Sequence, residues 1–177
     1  MRVQHFALVF CYLLSAAFAL AQNAAQTPNR SCQQDPAYHK LDFWVGRWDV
    51  FNNGGGSKDG TNEIEKILNG CAIVENWHDA SGSEGKSLFY YQKATGQWKQ
   101  VWVTDQGPMK EKRLVEELKD GGVRFQGEIP HLNGGSHLDR TTLTPLGPDR
   151  VRQVIETSRD GGKTWEVGYD AEYRRRK

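Results

Sequence analysis

Ten short runs in which apolar and polar residues alternate constrain this chain more than any other feature. They fall at 47–52, 62–68, 71–79, 86–92, 98–104, 112–119, 123–128, 138–144, 150–157 and 165–174, at even spacing, with glycine-, asparagine- or aspartate-rich turns between them. A period of two marks a half-buried strand, and no long helical pattern interrupts the series. The expected fold is all-β: a single up-and-down antiparallel β-barrel of about ten strands. Asp35-Pro36 is a good helix start, an acceptor side chain followed by proline at the first helical position. Residues 36–44 are therefore expected to form a short N-terminal helical plug that carries Phe43 and Trp44 toward the core.

In a meander of this kind alternate turns lie at opposite ends. Asn69-Gly70 (the strongest short hairpin signal), Thr95-Gly96, Gly121-Gly122 and Gly147-Pro148 fall at one end and are short. The connections at 53–60, 80–85, 105–111, 129–137 and 158–164 fall at the other and look longer. One end should be tightly sewn and the other should be a mouth made of loops, as in ligand-holding barrels. Parity in the last strand puts Trp165, Val167, Tyr169, Ala171 and Tyr173 on one face, and continuing that face gives Arg175. An even number of strands brings the last beside the first, so Arg175 should reach Trp48 at the sewn end and stack on its ring. A solvated basic tail is the plainer alternative.

Residues 1–21 read as a signal peptide: Arg2 supplies a positive start, 6–20 is an apolar stretch too short to span a bilayer comfortably, and Ala19-Leu20-Ala21 is a small-x-small cleavage site. Residues 22–34 are expected to be a flexible leader and 35–177 the barrel domain, with no integral membrane segment after cleavage and a periplasmic or secreted destination. The 23 basic and 22 acidic residues nearly balance, which argues against nucleic acid as partner. Cys11 leaves with the signal. Cys32 and Cys71 remain, and two cysteines in an exported chain most often pair. A free reactive pair is the alternative, but the spacing is not C-x-x-C.

Gly46-Arg47-Trp48 opening the first strand, with an arginine near the end of the last, resembles the G-x-W arrangement of the calycin superfamily, which includes the lipocalins, the fatty-acid-binding proteins and the nitrobindin-like haem barrels. The ordered set Asp42-Phe43-Trp44-x-Gly46-x-Trp48-x-Val50, Gly70-Cys71-x-Ile73-x-Glu75-x-Trp77, Gly85-x-Ser87 and Trp98-x-Gln100-x-Trp102-Val103 is similar to bacterial exported lipocalin-like proteins of unassigned function. The resemblance covers most of the chain after the signal. It implies a β-barrel and an apolar-ligand site and carries no established activity.

If Ile73 and Trp77 face inward, Glu75 does too; if Trp98 and Trp102 do, so does Gln100. A carboxylate and an amide among tryptophans is how a pocket orients a flat ligand. Trp77 and Trp102 are the candidate stacking walls, Glu75 and Gln100 the polar handles, and Tyr169 the group across the barrel. Alternatively Glu75 pairs with Arg140, Arg152 or another interior polar group in a structural network. As a catalyst it would be the general acid/base of an isomerase- or cyclase-like enzyme. Ser158-Arg159-Asp160-Gly161-Gly162-Lys163-Thr164-Trp165 matches the Asp-box pattern of sialidase propellers, read here as a single hairpin device. His131 and His137 could ligate a metal or haem at the mouth but are expected simply to be exposed; His39 and His78 have no carboxylate at ligand spacing. No metal and no cofactor is expected. The expected partner is a small apolar or aromatic molecule held in the barrel interior through a loop-lined open end. A barrel filled with side chains and serving protein interaction is the third reading.

Overall fold

The computed structural model describes residues 31–53, 56–107 and 109–177; the signal-peptide reading and most of the leader lie outside them. Ten strands follow in sequence order: β1 (Gly46–Asn52), β2 (Lys58–Ile67), β3 (Ala72–Asp79), β4 (Glu84–Gln92), β5 (Gln97–Thr104), β6 (Met109–Glu117), β7 (Val123–Pro130), β8 (Ser136–Pro145), β9 (Arg150–Ser158) and β10 (Glu166–Arg175). Each is antiparallel to its successor, and β10 returns to pair with β1, closing the barrel. Among the described residues, no helix is long and apolar enough to cross a membrane.

Closure occurs in the register that parity requires. Trp48 lies opposite Arg175 on β10, whose guanidinium carbon sits 4.2 Å above the indole. Arg175 Nη1 also donates to the Val45 carbonyl at 2.9 Å. Trp48, Val50, Ile73, Phe89, Trp98, Phe125, Leu143, Val151 and Tyr173 form the floor of the barrel, all at most 2% exposed. Residues Pro36–His39 and Asp42–Trp44 are short 3-10 turns. Trp44 meets Phe89 and Tyr173 edge to face, and Trp98 Nε1 donates to the Ala37 carbonyl at 2.7 Å. Cys32 and Cys71 are joined by a disulfide.

Three expectations fail. The two ends do not differ as expected, because β2, β4, β6, β7 and β8 run on into residues assigned to loops, leaving connections such as 80–83 and 131–135. Their polar ends, Lys58, Glu84 and Ser136 among them, are tolerated in a strand because the outer face and rim are wet. The inward run of the last strand also breaks: the register shifts between Val167 and Tyr169, so Val167 is 61% exposed and only Tyr169, Ala171 and Tyr173 keep the inward phase. Such a bulge inserts one residue and reverses the face of everything before it. Trp165 accordingly lies on the outer side, under the guanidinium of Arg140 at 3.9 Å. Leu68, assigned to a strand, instead opens the turn with φ +52° and is 70% exposed.

The Asp-box segment is a hairpin device. Asp160 accepts from the backbone N–H groups of Lys163 and Thr164 and from the Ser158 and Thr164 hydroxyls, which hold its carboxyl far below the usual range.

Candidate functional site: a half-polar hollow above the apolar floor

Above the apolar floor the inward positions turn polar. Asn62 on β2, Glu75 on β3, Ser87 on β4, Gln100 on β5, Lys112 on β6, Thr141 on β8 and Gln153 on β9 are all buried. Together with Trp77, Trp102, Lys110, Asp139, Tyr169 and Tyr173 most of them border a hollow of about 410 Å³. Floor residues are sealed, whereas Trp77, Trp102, Lys110 and Tyr169 are partly exposed, so the hollow opens toward the end where β3 finishes and β6 begins. All five residues singled out for ligand contact, Glu75, Trp77, Gln100, Trp102 and Tyr169, stand on its walls.

Glu75 is not paired with arginine. Arg140 binds Glu156 and Arg152 binds Asp170, both pairs on the outer face, because even-numbered residues of β8 and β9 point away from the interior. Instead Glu75 Oε1 accepts from Asn62 Nδ2 at 2.7 Å and Oε2 from Ser87 Oγ at 2.6 Å. Ser87 Oγ in turn accepts from Gln100 Nε2 at 3.1 Å, and Tyr173 donates its hydroxyl to Gln153 at 2.8 Å. Burial raises the Glu75 pKa, against the pull of those hydrogen bonds and of the Lys112 charge.

That shift fixes the sign of a pH effect. A carboxyl whose folded pKa lies above its unfolded value stabilises the fold below the unfolded pKa and loses that contribution as pH rises through the folded one. The Glu75→Gln variant, which cannot ionise, should therefore gain in melting temperature relative to the parent as pH rises from 4.5 upward, levelling off above the raised pKa. Thermal unfolding of both proteins across pH 5 to 8 (about this window, from the ordinary glutamate pKa) measures it. A difference that stays flat or shrinks would remove the burial argument.

The cationic side of the hollow was not foreseen. Lys110 Nζ lies 2.6 Å from Asp139 Oδ2, Lys112 pairs with Asp139 Oδ1, and Lys112 Nζ donates to Thr141 Oγ1 at 2.6 Å. The Lys112 and Asp139 side chains are 3% and 0% exposed. Burial lowers the lysine pKa. It would raise that of Asp139, but the two lysines hold the carboxyl below its usual range. β6 and β8 are not neighbours, for β7 lies between them. The bridge forms because the intervening inward position is Gly127, where a Cβ would stand 1.9 Å from the Glu111 carbonyl oxygen. The signal was present in Phe125-x-Gly127-x-Ile129, a glycine at an inward strand position, which often marks a close backbone approach.

Trp102 leans over an inward glycine in the same way. A Cβ on Gly85 would stand 2.2 Å from Trp102 Cη2. Gly85→Ala should therefore push the indole into the hollow, lowering stability by about 1–3 kcal/mol through overpacking and shrinking the space. Denaturant titration, with the emission maximum of the tryptophans as a second readout, tests this. An unchanged stability and spectrum would mean the indole is free to move.

At the rim His131 Nε2 and His137 Nδ1 approach to 2.7 Å. His39 and His78 do have carboxylate neighbours, contrary to expectation: Asp42 at 2.6 Å and Glu84 at 3.2 Å, pairs made by the bend between the two 3-10 turns and by cross-strand register. Among the described residues no three histidine, cysteine or acidic side chains cluster as metal ligands do. Set against known proteins, the chain matches no family model and no curated protein.

Proposed function

We propose that this is an exported, lipocalin-like barrel of calycin type that binds a small, largely apolar or aromatic molecule in its interior. The observation that carries this reading is the hollow of about 410 Å³ bounded by Trp77, Trp102 and Tyr169 with Glu75 and Gln100 among them. Its size falls within the roughly 300–1,000 Å³ of small-molecule sites, and its mixture of aromatic walls with a few fixed polar groups is the usual composition of one. Gln100 Oε1 is buried and has no protein hydrogen-bond partner among the described residues. Buried polar atoms are normally satisfied, so this oxygen favours a guest or water in the hollow. The same space weighs against a barrel filled by its own side chains.

Native mass spectrometry of the protein isolated from the exported fraction should reveal a retained small molecule that is lost on denaturation. Bare protein, together with no tryptophan quenching by any aromatic probe, would overturn the proposal. Glu75, buried with a raised pKa, supports one further reading, an isomerase- or cyclase-like enzyme in which it moves a proton. Both of its oxygens are already engaged by Asn62 and Ser87, which favours the carrier. Glu75→Gln separates the two, with modest loss of affinity in a carrier and complete loss of turnover in an enzyme.

A further inference from the structure

The lining of the hollow differs in chemistry from strand to strand. Granted the binding reading above, on which the assignment of a guest rests, that difference narrows the class of molecule the hollow would take. Two of its strands, β3 and β5, contribute indoles. Trp102 lies across Gly85 on β4, and a Cβ on Gly60 of β2 would stand 2.9 Å from Trp77 Cη2, so each ring is laid along the wall over a neighbouring strand that lacks a side chain there. Both remain on the surface of the hollow. In the closed order of strands β3 stands diametrically opposite β8, so Trp77 faces the wall that carries Asp139.

Asp139 on that wall draws in two cations from β6, the strand beside Trp102, where Lys110 is the direct cross-strand partner of the indole. Lys110 and Lys112 converge on the single carboxylate of Asp139, which leaves one positive charge without a countercharge in the cluster. The other acids on the lining do not supply it. Asp79 sits at the rim and turns its carboxylate to the Ser81 backbone N–H at 2.6 Å. Glu75 lies deeper, bound by Asn62 and Ser87, where burial favours its neutral form, and its interaction is with the buried Lys112. Lys110 is the member able to turn toward a guest, because its side chain is 31% exposed whereas that of Lys112 is 3% exposed and also held by Thr141.

We propose that the hollow selects a flat aromatic carboxylate, its ring against Trp77 and Trp102 and its acid group drawn to Lys110 beside Asp139. Attraction across a partly desolvated site is stronger than in water, and a lysine shared between Asp139 and a guest carboxylate completes the pairing that one aspartate leaves unfinished. A neutral aromatic would keep the stacking and lose the charge. An aromatic ammonium would meet Lys110 and Lys112 head on.

The test is a set of three probes of one shape: 2-naphthoate, 2-naphthylmethanol and 2-naphthylmethylammonium, titrated calorimetrically into the purified protein at low and at moderate salt. The acid should bind at least about tenfold more tightly than the alcohol, the ammonium more weakly than either, and the preference for the acid should shrink with salt. Lys110→Met, chosen because this side chain reaches the rim, should bring the acid's affinity down to that of the alcohol measured on the same variant. Trp102→Ala should weaken acid and alcohol alike. Equal affinity for acid and alcohol, tighter binding of the ammonium, or an acid preference that survives Lys110→Met would overturn the anion assignment while leaving the hollow a ligand site. Failure of all three probes to bind, with bare protein in the native mass spectrum, would overturn the binding reading as well.

Discussion

Replacing Asp139 with asparagine is expected to destabilise the barrel by about 3–5 kcal/mol, the usual penalty for leaving a buried charge without its partner. Lys112 is the reason. Its side chain is 3% exposed and its remaining neighbour in the cluster is the neutral Thr141 hydroxyl, so loss of the carboxylate strands an ammonium inside the wall. The double variant Lys112→Met/Asp139→Leu should recover most of the loss, because a buried pair replaced by apolar groups of similar volume is close to neutral. Measured with the single variants Lys112→Met and Asp139→Leu, the cycle reads a coupling well above the few tenths of a kcal/mol expected for independent sites. Lys110, partly exposed, can return to water and should not by itself produce the effect. pH gives a second check. The Asp139 pKa is depressed, so its contribution is present above the unfolded value and disappears as pH falls through the folded one; the gap between parent and variant should close in acid. Urea titration followed by tryptophan fluorescence measures each arm. A single-variant loss under about 1 kcal/mol would mean that water already solvates the pair.

The same pair shows where reading from sequence stops. Glu75, Gln100, Trp77 and Trp102 were legible because each sits two residues from another inward side chain in a strand without bulges, and parity alone carries them to the interior. The meeting of Trp48 with Arg175 was legible for the same reason, since an even strand count brings the tail beside the head. Lys112 and Asp139 belong to strands separated by β7, and neither strand's alternation says that a lysine will cross an intervening glycine to reach an aspartate. Val167 and Trp165 went to the wrong face because one extra residue, at the shift before Tyr169, costs no visible change in composition. The length of the rim loops was overestimated because a polar residue at the wet end of a strand looks the same as one in a loop.

Converting Cys32 and Cys71 to serine is expected to remove roughly 4 kcal/mol, the chain-entropy value for a loop of about forty residues, matching a sequence separation of 39. For a domain of this size the melting temperature would fall by roughly 8–16 °C at about 2–4 °C per kcal/mol. The physical question is which state the bond acts on. The segment it tethers is already docked: Leu41 and Trp44 are at most 1% exposed, and Trp98 binds the Ala37 carbonyl. Trp48 Nε1 also donates to the Trp44 carbonyl at 2.8 Å. With so many contacts of its own, the segment should stay in place without the bond, so the loss should come from the freer unfolded chain and appear as a steeper denaturant slope. Trp44→Ala tests that account. If the bond constrains only the unfolded chain, the penalty of Trp44→Ala is the same with and without it, and the two losses add. If the bond is what seats the turns on the barrel floor, the indole is already displaced in the serine variant and its removal there costs little. Additivity within about 0.5 kcal/mol supports the first account, and a marked shortfall replaces it with the second.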